Sequence, residues 1–292
     1  MREPSPRNSR LAITAGIVAV AVVGGGGFLL GQRATTPRPI AAVPAPVAIP
    51  APAVQQNDAG RTLGRGDLIA LAATAADATA RGTAMPATLR DMIARPFSIA
   101  LPFGCDGAAT EGSDAAMRWT YDAAAGALRI HVAPSAWLPA DWWPRGAPDG
   151  VEALEGFWVA RPWTSSETCP ADQDPVAATG AEPVTLPGQT LAVGQIFGPE
   201  SGRQGRREGS PYTTVLRVKP EEVQADQGFR VRLIGHIAAA PDGAPVVCQQ
   251  VGGAEQRPVC LVATSLDEVR IENGTTGATL ATWPTDRPRA AS

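Results

Sequence analysis

The chain has 292 residues, enough for one or two domains. With 44% hydrophobic and 18% charged residues, it can build a core and is not wholly disordered. Its 25 basic residues against 28 acidic ones give a net charge of −3, so no global basic field exists to hold nucleic acid.

Residues 1–10 form a short tail carrying Arg2, Arg7 and Arg10. Residues 11–32 then run without a charge. At about 1.5 Å per residue, some 20 of them cross a hydrocarbon core of about 30 Å. A soluble helix of this length shows a polar face, and this stretch shows none. It is therefore expected to be a transmembrane signal anchor, longer than the apolar region of a cleaved signal peptide. Arg33 and Arg38 follow it, and the arginine asymmetry favours a cytoplasmic N-terminus.

Residues 33–58 are rich in alanine and proline, with six prolines between Pro37 and Pro52. Such composition favours extended chain and cannot build a core, so a linker is expected. Residues 1–58 carry five arginines against Glu3 and Asp58, leaving −6 on the rest of the chain.

One soluble helix is expected, capped by Asp67 and ended by Gly82, with a shorter turn over 88–94 stopped by Pro96. Strand signals follow at 97–101 and at the alternating sets Met117, Trp119, Tyr121 and Leu128, Ile130, Val132. Further strands are expected at 156–159, 191–197, 213–218, 229–237, 246–249, 259–263, 269–271 and 279–282, with Asn273-Gly274 marking a hairpin turn. The expected class is mainly β, a disulfide-stapled sandwich or barrel-like region with one leading helix. The Pro-containing stretch near 175–188 suggests two β-rich units, 59–180 and 181–292.

Four cysteines allow three pairings. Cys248 and Cys260 flank a Gly-Gly turn, which places them on facing hairpin strands, and Cys105 and Cys169 then pair by elimination. Neither spacing suits a zinc site or a Cys-x-x-Cys redox pair, so no metal is expected. Paired cysteines want an oxidising compartment. Together with the anchor and a GC-rich residue bias (Lys219 is the sole lysine), they point to a bacterial inner-membrane protein with its bulk in the periplasm.

No nucleophile elbow, Walker A sequence, zinc-binding His-Glu-x-x-His or dinucleotide fingerprint occurs, and no cofactor is expected. His131 and His236 fall at polar positions of alternating strands. Five of the seven tryptophans lie within residues 137–163: Trp137, Trp142, Trp143, Trp158 and Trp163. Flat rings there suit contact with a sugar or a partner protein, and otherwise they fill a core. Arg206 and Arg207 lie in a basic loop. Arg217, Lys219, Arg230 and Arg232 occupy polar positions of two strands that would form a basic patch if they were neighbours.

These features lead to a membrane-anchored binding or assembly module without catalysis. Trp137, Trp142, Trp143, Arg206 and Arg207 are its expected contacts for an envelope protein or glycan. The alternative is an envelope hydrolase using Asp141, Glu152 or Glu155.

Overall fold

A computed structural model describes residues 60–159, 165–170, 191–199, 206–208, 210–253 and 256–285. The expected anchor at 11–32, the linker at 33–58 and Trp163 lie outside these residues. Among the described residues no helix is long and apolar enough to cross a membrane.

Helix α1, Arg65–Ala80, carries Leu68, Leu71, Ala72, Ala75 and Ala76 on one buried stripe at helical spacing. Asp67 does not occupy the capping position itself. Gly64 does, and Asp67 sits three residues in, where its Oδ2 accepts the Gly64 N–H at 2.8 Å. Arg61 donates to the same carboxylate at 2.8 and 2.9 Å, and that bond holds the Asp67 carboxyl below its ordinary range. Gly82, with φ +63°, ends the helix as its spacing implies. The following turn is a 3-10 helix, Ala87–Met92.

The rest is mainly β. Eleven strands follow among the described residues: β1 Pro96–Phe103, β2 Met117–Asp122, β3 Ala127–Val132, β4 Ser135–Trp137, β5 Ala153–Trp158, β6 Leu191–Phe197, β7 Tyr212–Arg217, β8 Phe229–Ile237, β9 Val246–Gln249, β10 Val259–Asn273 and β11 Thr279–Pro284. Eight form one sheet in the order β1-β8-β10-β6-β5-β4, with β9 and β11 also on β10. The remaining three form a second sheet, β2-β3-β7.

The eight-stranded sheet turns on β10. Residues 260–263 pair with β6 in parallel and 259–262 with β9 in antiparallel, whereas 264–273 pair with β8 and 268–272 with β11. A bulge between Leu266 and Glu268 marks the change. Both sheets and α1 contribute to one core, in which Phe97, Phe229, Val231, Leu233, Val269 and Ile271 are fully buried.

Two expectations change here. Residues 259–263 and 269–271 belong to one strand, because the bulge carries the chain through the polar stretch between them. The boundary at 180/181 does not separate the strands: β1 pairs with β8, β3 with β7 and β5 with β6, so Asn57–Ser292 is one compact unit. The hairpin turn marked by Asn273-Gly274 does form, joining β10 to β11 through more than two residues. Asn273 Oδ1 accepts the N–H groups of Thr275 and Thr276, and Gly277 adopts the left-handed φ of +74°. Gly274 is needed for close approach instead, since a Cβ there would lie 2.0 Å from the Gln227 carbonyl.

Both cystines form as paired in the sequence. Cys248 and Cys260 are direct register partners on β9 and β10, with Cα atoms 4.1 Å apart. Cys105 and Cys169, 64 residues apart, join the end of β1 to the segment 165–170. Glu167 in that segment accepts the Ala100 N–H at 2.9 Å, a second attachment to β1.

Candidate functional site

Side chains alternate across a strand, so the β4-β5-β6-β10-β9 part of the sheet has two apolar faces. One joins the main core through Phe157, Leu191, Val193 and Val262. The other presents Leu154, Ala192, Val259, Leu261 and Ala263 to a separate cluster. That second face is closed by tryptophans.

Their placement follows from local chemistry. Trp137 on β4 stands opposite Leu154 of β5, and Trp158 stands opposite Ala192 of β6. The chain then turns at α2, Pro139–Trp142, with Pro139 at the first helical position, where a missing N–H costs nothing. Asp141 Oδ2 accepts the Leu138 N–H at 2.8 Å, and the Asp141 carbonyl accepts from Gln249 of β9. These bonds lay Trp142 onto the face.

The three rings fill one another's space. Trp137 meets Trp142 at 5.6 Å and Trp158 at 5.3 Å, both nearly edge-on, while Trp142 and Trp158 stack at 6.1 Å. These separations are those of aromatic pairs in contact, so the rings do not enclose a cation. Trp142 is only 3% exposed, and its Nε1 is buried with no hydrogen-bond partner among the described residues. Trp137, Trp143 and Trp158 are half-buried and pack on this face, and Leu138, next to Trp137 in the chain, is 69% exposed. The result is an apolar rim around a buried indole, suited to contact through ring faces and one aliphatic side chain.

Arg206 and Arg207 are not brought onto this rim. They are anchored on the opposite phase of β5, where Glu155 is 6% exposed. The Glu155 carboxylate accepts the backbone N–H of Arg207 at 2.9 Å and of Glu208 at 2.6 Å. Arg206 lies 4.0 Å from both Glu152 and Glu155. The Arg207 side chain donates to the Ser210 and Pro211 carbonyls and lies 4.1 Å from the centre of the Tyr212 ring. Burial pushes the Tyr212 hydroxyl up to about 12, with Arg207 working against that shift and Glu155 adding to it.

The wider basic patch does not assemble, because β7 and β8 belong to different sheets. Arg217 donates to the Ala125 carbonyl. Arg232 is held by Glu272 at 2.6 and 3.1 Å and by Glu167 at 3.4 Å, and Arg230 lies 3.7 Å from Glu272. The carboxylates of the hydrolase reading are likewise engaged. Asp141 caps α2 and Glu155 holds the 206–208 segment, while Glu152 is exposed beside Arg206.

His236 Nδ1 lies 2.8 Å from Asp267 in the bulge, with Ser265 opposite His236 in register. Their side-chain exposures of 40% and 35% are those of a surface pair, not of a desolvated base. Among the described residues no three His, Cys, Asp or Glu side chains converge on a metal position. Sequence reasoning missed Leu138 as the exposed member of the rim. Pro139 and Asp141 just after it, a helix-start pattern, were the available signal.

Comparison with protein-family models, with curated proteins and with solved structures gives no match.

Proposed function

We propose that the chain is a single-pass, membrane-anchored binding or assembly module of the bacterial cell envelope, with its C-terminal domain in the periplasm. The uncharged stretch 11–32 supports the anchor, and the two cystines support an oxidising compartment. The observation that carries the binding role is Leu138, 69% exposed in the chain between half-buried Trp137 and α2. The partner is an envelope protein or glycan that covers Leu138, Trp143 and the free edges of Trp137 and Trp158.

Two experiments test this reading. An alkaline phosphatase fused after Ser292 is expected to be active, and β-galactosidase at the same point inactive; the reverse pattern rejects the periplasmic placement. A photo-crosslinker replacing Trp143 in cells is expected to give a discrete adduct that Leu138→Asp abolishes. The same crosslinker at Glu111, on an exposed loop, should give none. Equal labelling from both positions, or none from 143, rejects the rim as the contact surface.

A further inference from the structure

The outer face of the three-stranded sheet carries a second set of groups. Arg118, His131 and Thr213 stand side by side on β2, β3 and β7, and Thr120, Arg129 and Val215 form the next row. They border a hollow of about 330 Å³ whose lining contains no carboxylate. This is a local cationic surface on a chain of net charge −3. Rows lie about 6.8 Å apart along a strand and neighbouring strands about 4.8 Å apart, so two guanidinium groups and an imidazole reach one small anion together.

Their engagements leave them available. Arg129 is exposed and makes no ion pair or hydrogen bond among the described residues. Arg118 spends one N–H on the Ala115 carbonyl. The surface differs from the aromatic rim in sheet, chemistry and residues, and does not rest on the function proposed above.

We infer that this face binds a phosphomonoester, held by Arg118 and Arg129 with the Thr120 and Thr213 hydroxyls and the His131 imidazole completing the donors. Donors arriving from three strands suit a tetrahedral dianion better than a planar carboxylate, which one guanidinium satisfies in bidentate fashion. Val215, 52% exposed at the end of the second row, leaves an apolar edge for the carbon skeleton of the ester.

The charge environment of His131 supplies a signature. Arg118 faces it from β2, Arg129 lies two residues away on β3, and β7 presents the uncharged Thr213. Asp122 and Arg217 stand two rows beyond His131, across Ala127. Burial, and then repulsion from Arg118, hold the imidazole below its ordinary value. A bound dianion offsets that repulsion and raises it. While the ester remains a dianion, above its own second pKa of about 6, binding therefore takes up a proton and tightens as pH falls through the raised value.

The test uses the full chain in detergent micelles with labelled histidine, since only two imidazoles need resolving and His236→Gln assigns them. Glucose 6-phosphate is the probe, against glucose, glucuronate, the phosphodiester glycerophosphoglycerol and sodium chloride at matched ionic strength. The expected result is a saturable shift of the His131 signal with its titration midpoint raised by about one unit. Arg129→Gln, at an exposed position, should weaken binding about tenfold while the His236 signal stays in place. An equal response to sodium chloride, equal affinity for glucuronate or the phosphodiester, or no change in Arg129→Gln overturns the inference.

Discussion

Glu155 and Arg207 are 52 residues apart in sequence, yet the Glu155 carboxylate receives the Arg207 backbone N–H at 2.9 Å. The bond joins β5 to the segment leading into β7, and so one sheet to the other. A buried carboxylate that accepts two main-chain donors is a fastening point, and removing it strands both donors. Glu155→Ala should lower stability by about 2–3 kcal/mol, read as a shifted urea midpoint. Glu152→Ala, at a 54% exposed side chain, should change it by less than about 0.5 kcal/mol.

Adjacent tryptophans separate in the same measurement. Trp142 is 3% exposed and packs on two other indoles, so Trp142→Ala should cost about 3–5 kcal/mol. Trp143 is half-buried, and Leu138→Asp alters an exposed position. Leu138→Asp should leave the urea midpoint nearly unchanged while removing the crosslinked adduct. A large loss of stability in Leu138→Asp would show that the rim is a structural cover.

Gly228 combines two demands. Its φ is +54°, and a Cβ there would meet the Phe103 carbonyl at 2.4 Å. Gly228→Ala should therefore destabilise by about 2 kcal/mol or more, because backbone and not a flexible side chain would have to move. Gly82→Ala shares the positive φ but has open space around it, and should cost about 1 kcal/mol.

Alkaline titration should single out Tyr212. Its hydroxyl ionises near 12 in the folded chain, above the ordinary value of 10.0. The folded state therefore favours the neutral form. That contribution is complete below pH 10 and is lost as pH rises from about 10 to about 12, where the unfolded chain ionises first. Absorbance at alkaline pH should show two tyrosines, the later of which disappears in Tyr212→Phe. The loss of stability over this interval should be smaller in that variant.

Reduction of the cystines should act unequally. The chain-entropy estimate is about 4 kcal/mol for the loop closed by Cys105–Cys169 and about 3 kcal/mol for that closed by Cys248–Cys260. Cys105→Ser with Cys169→Ser should also loosen Glu167 from Ala100 and Arg232, lowering the midpoint more than the corresponding pair at 248 and 260.

Which elements were legible follows from how they are stabilised. β8 alternates buried and half-exposed residues along its whole length, and period-two patterning gives its bounds, 229–237, directly. The Cys248–Cys260 pairing was legible because a short hairpin leaves little choice of register. β4 has only three residues, too few to alternate, and exists because β5 receives it. The continuity of β10 was hidden by a polar stretch that a bulge accommodates. Sheet membership was not legible at all: Arg217 and Arg230 look like neighbours in pattern, yet long-range pairing places them on different sheets. For the site, sequence singled out the tryptophans but not their division into one interior indole and three rim positions, which depends on where α2 docks.

The strand β10 gives its two halves to different neighbours, one end to β6 and β9 and the other to β8 and β11. Neither group of strands owns a private spine, so neither can melt and leave the other intact. Denaturation should run as a single all-or-none event. Amide protons in the middle of β10 should exchange with solvent only when the whole unit opens, and a tug on one edge is shared by both groups through the same covalent backbone.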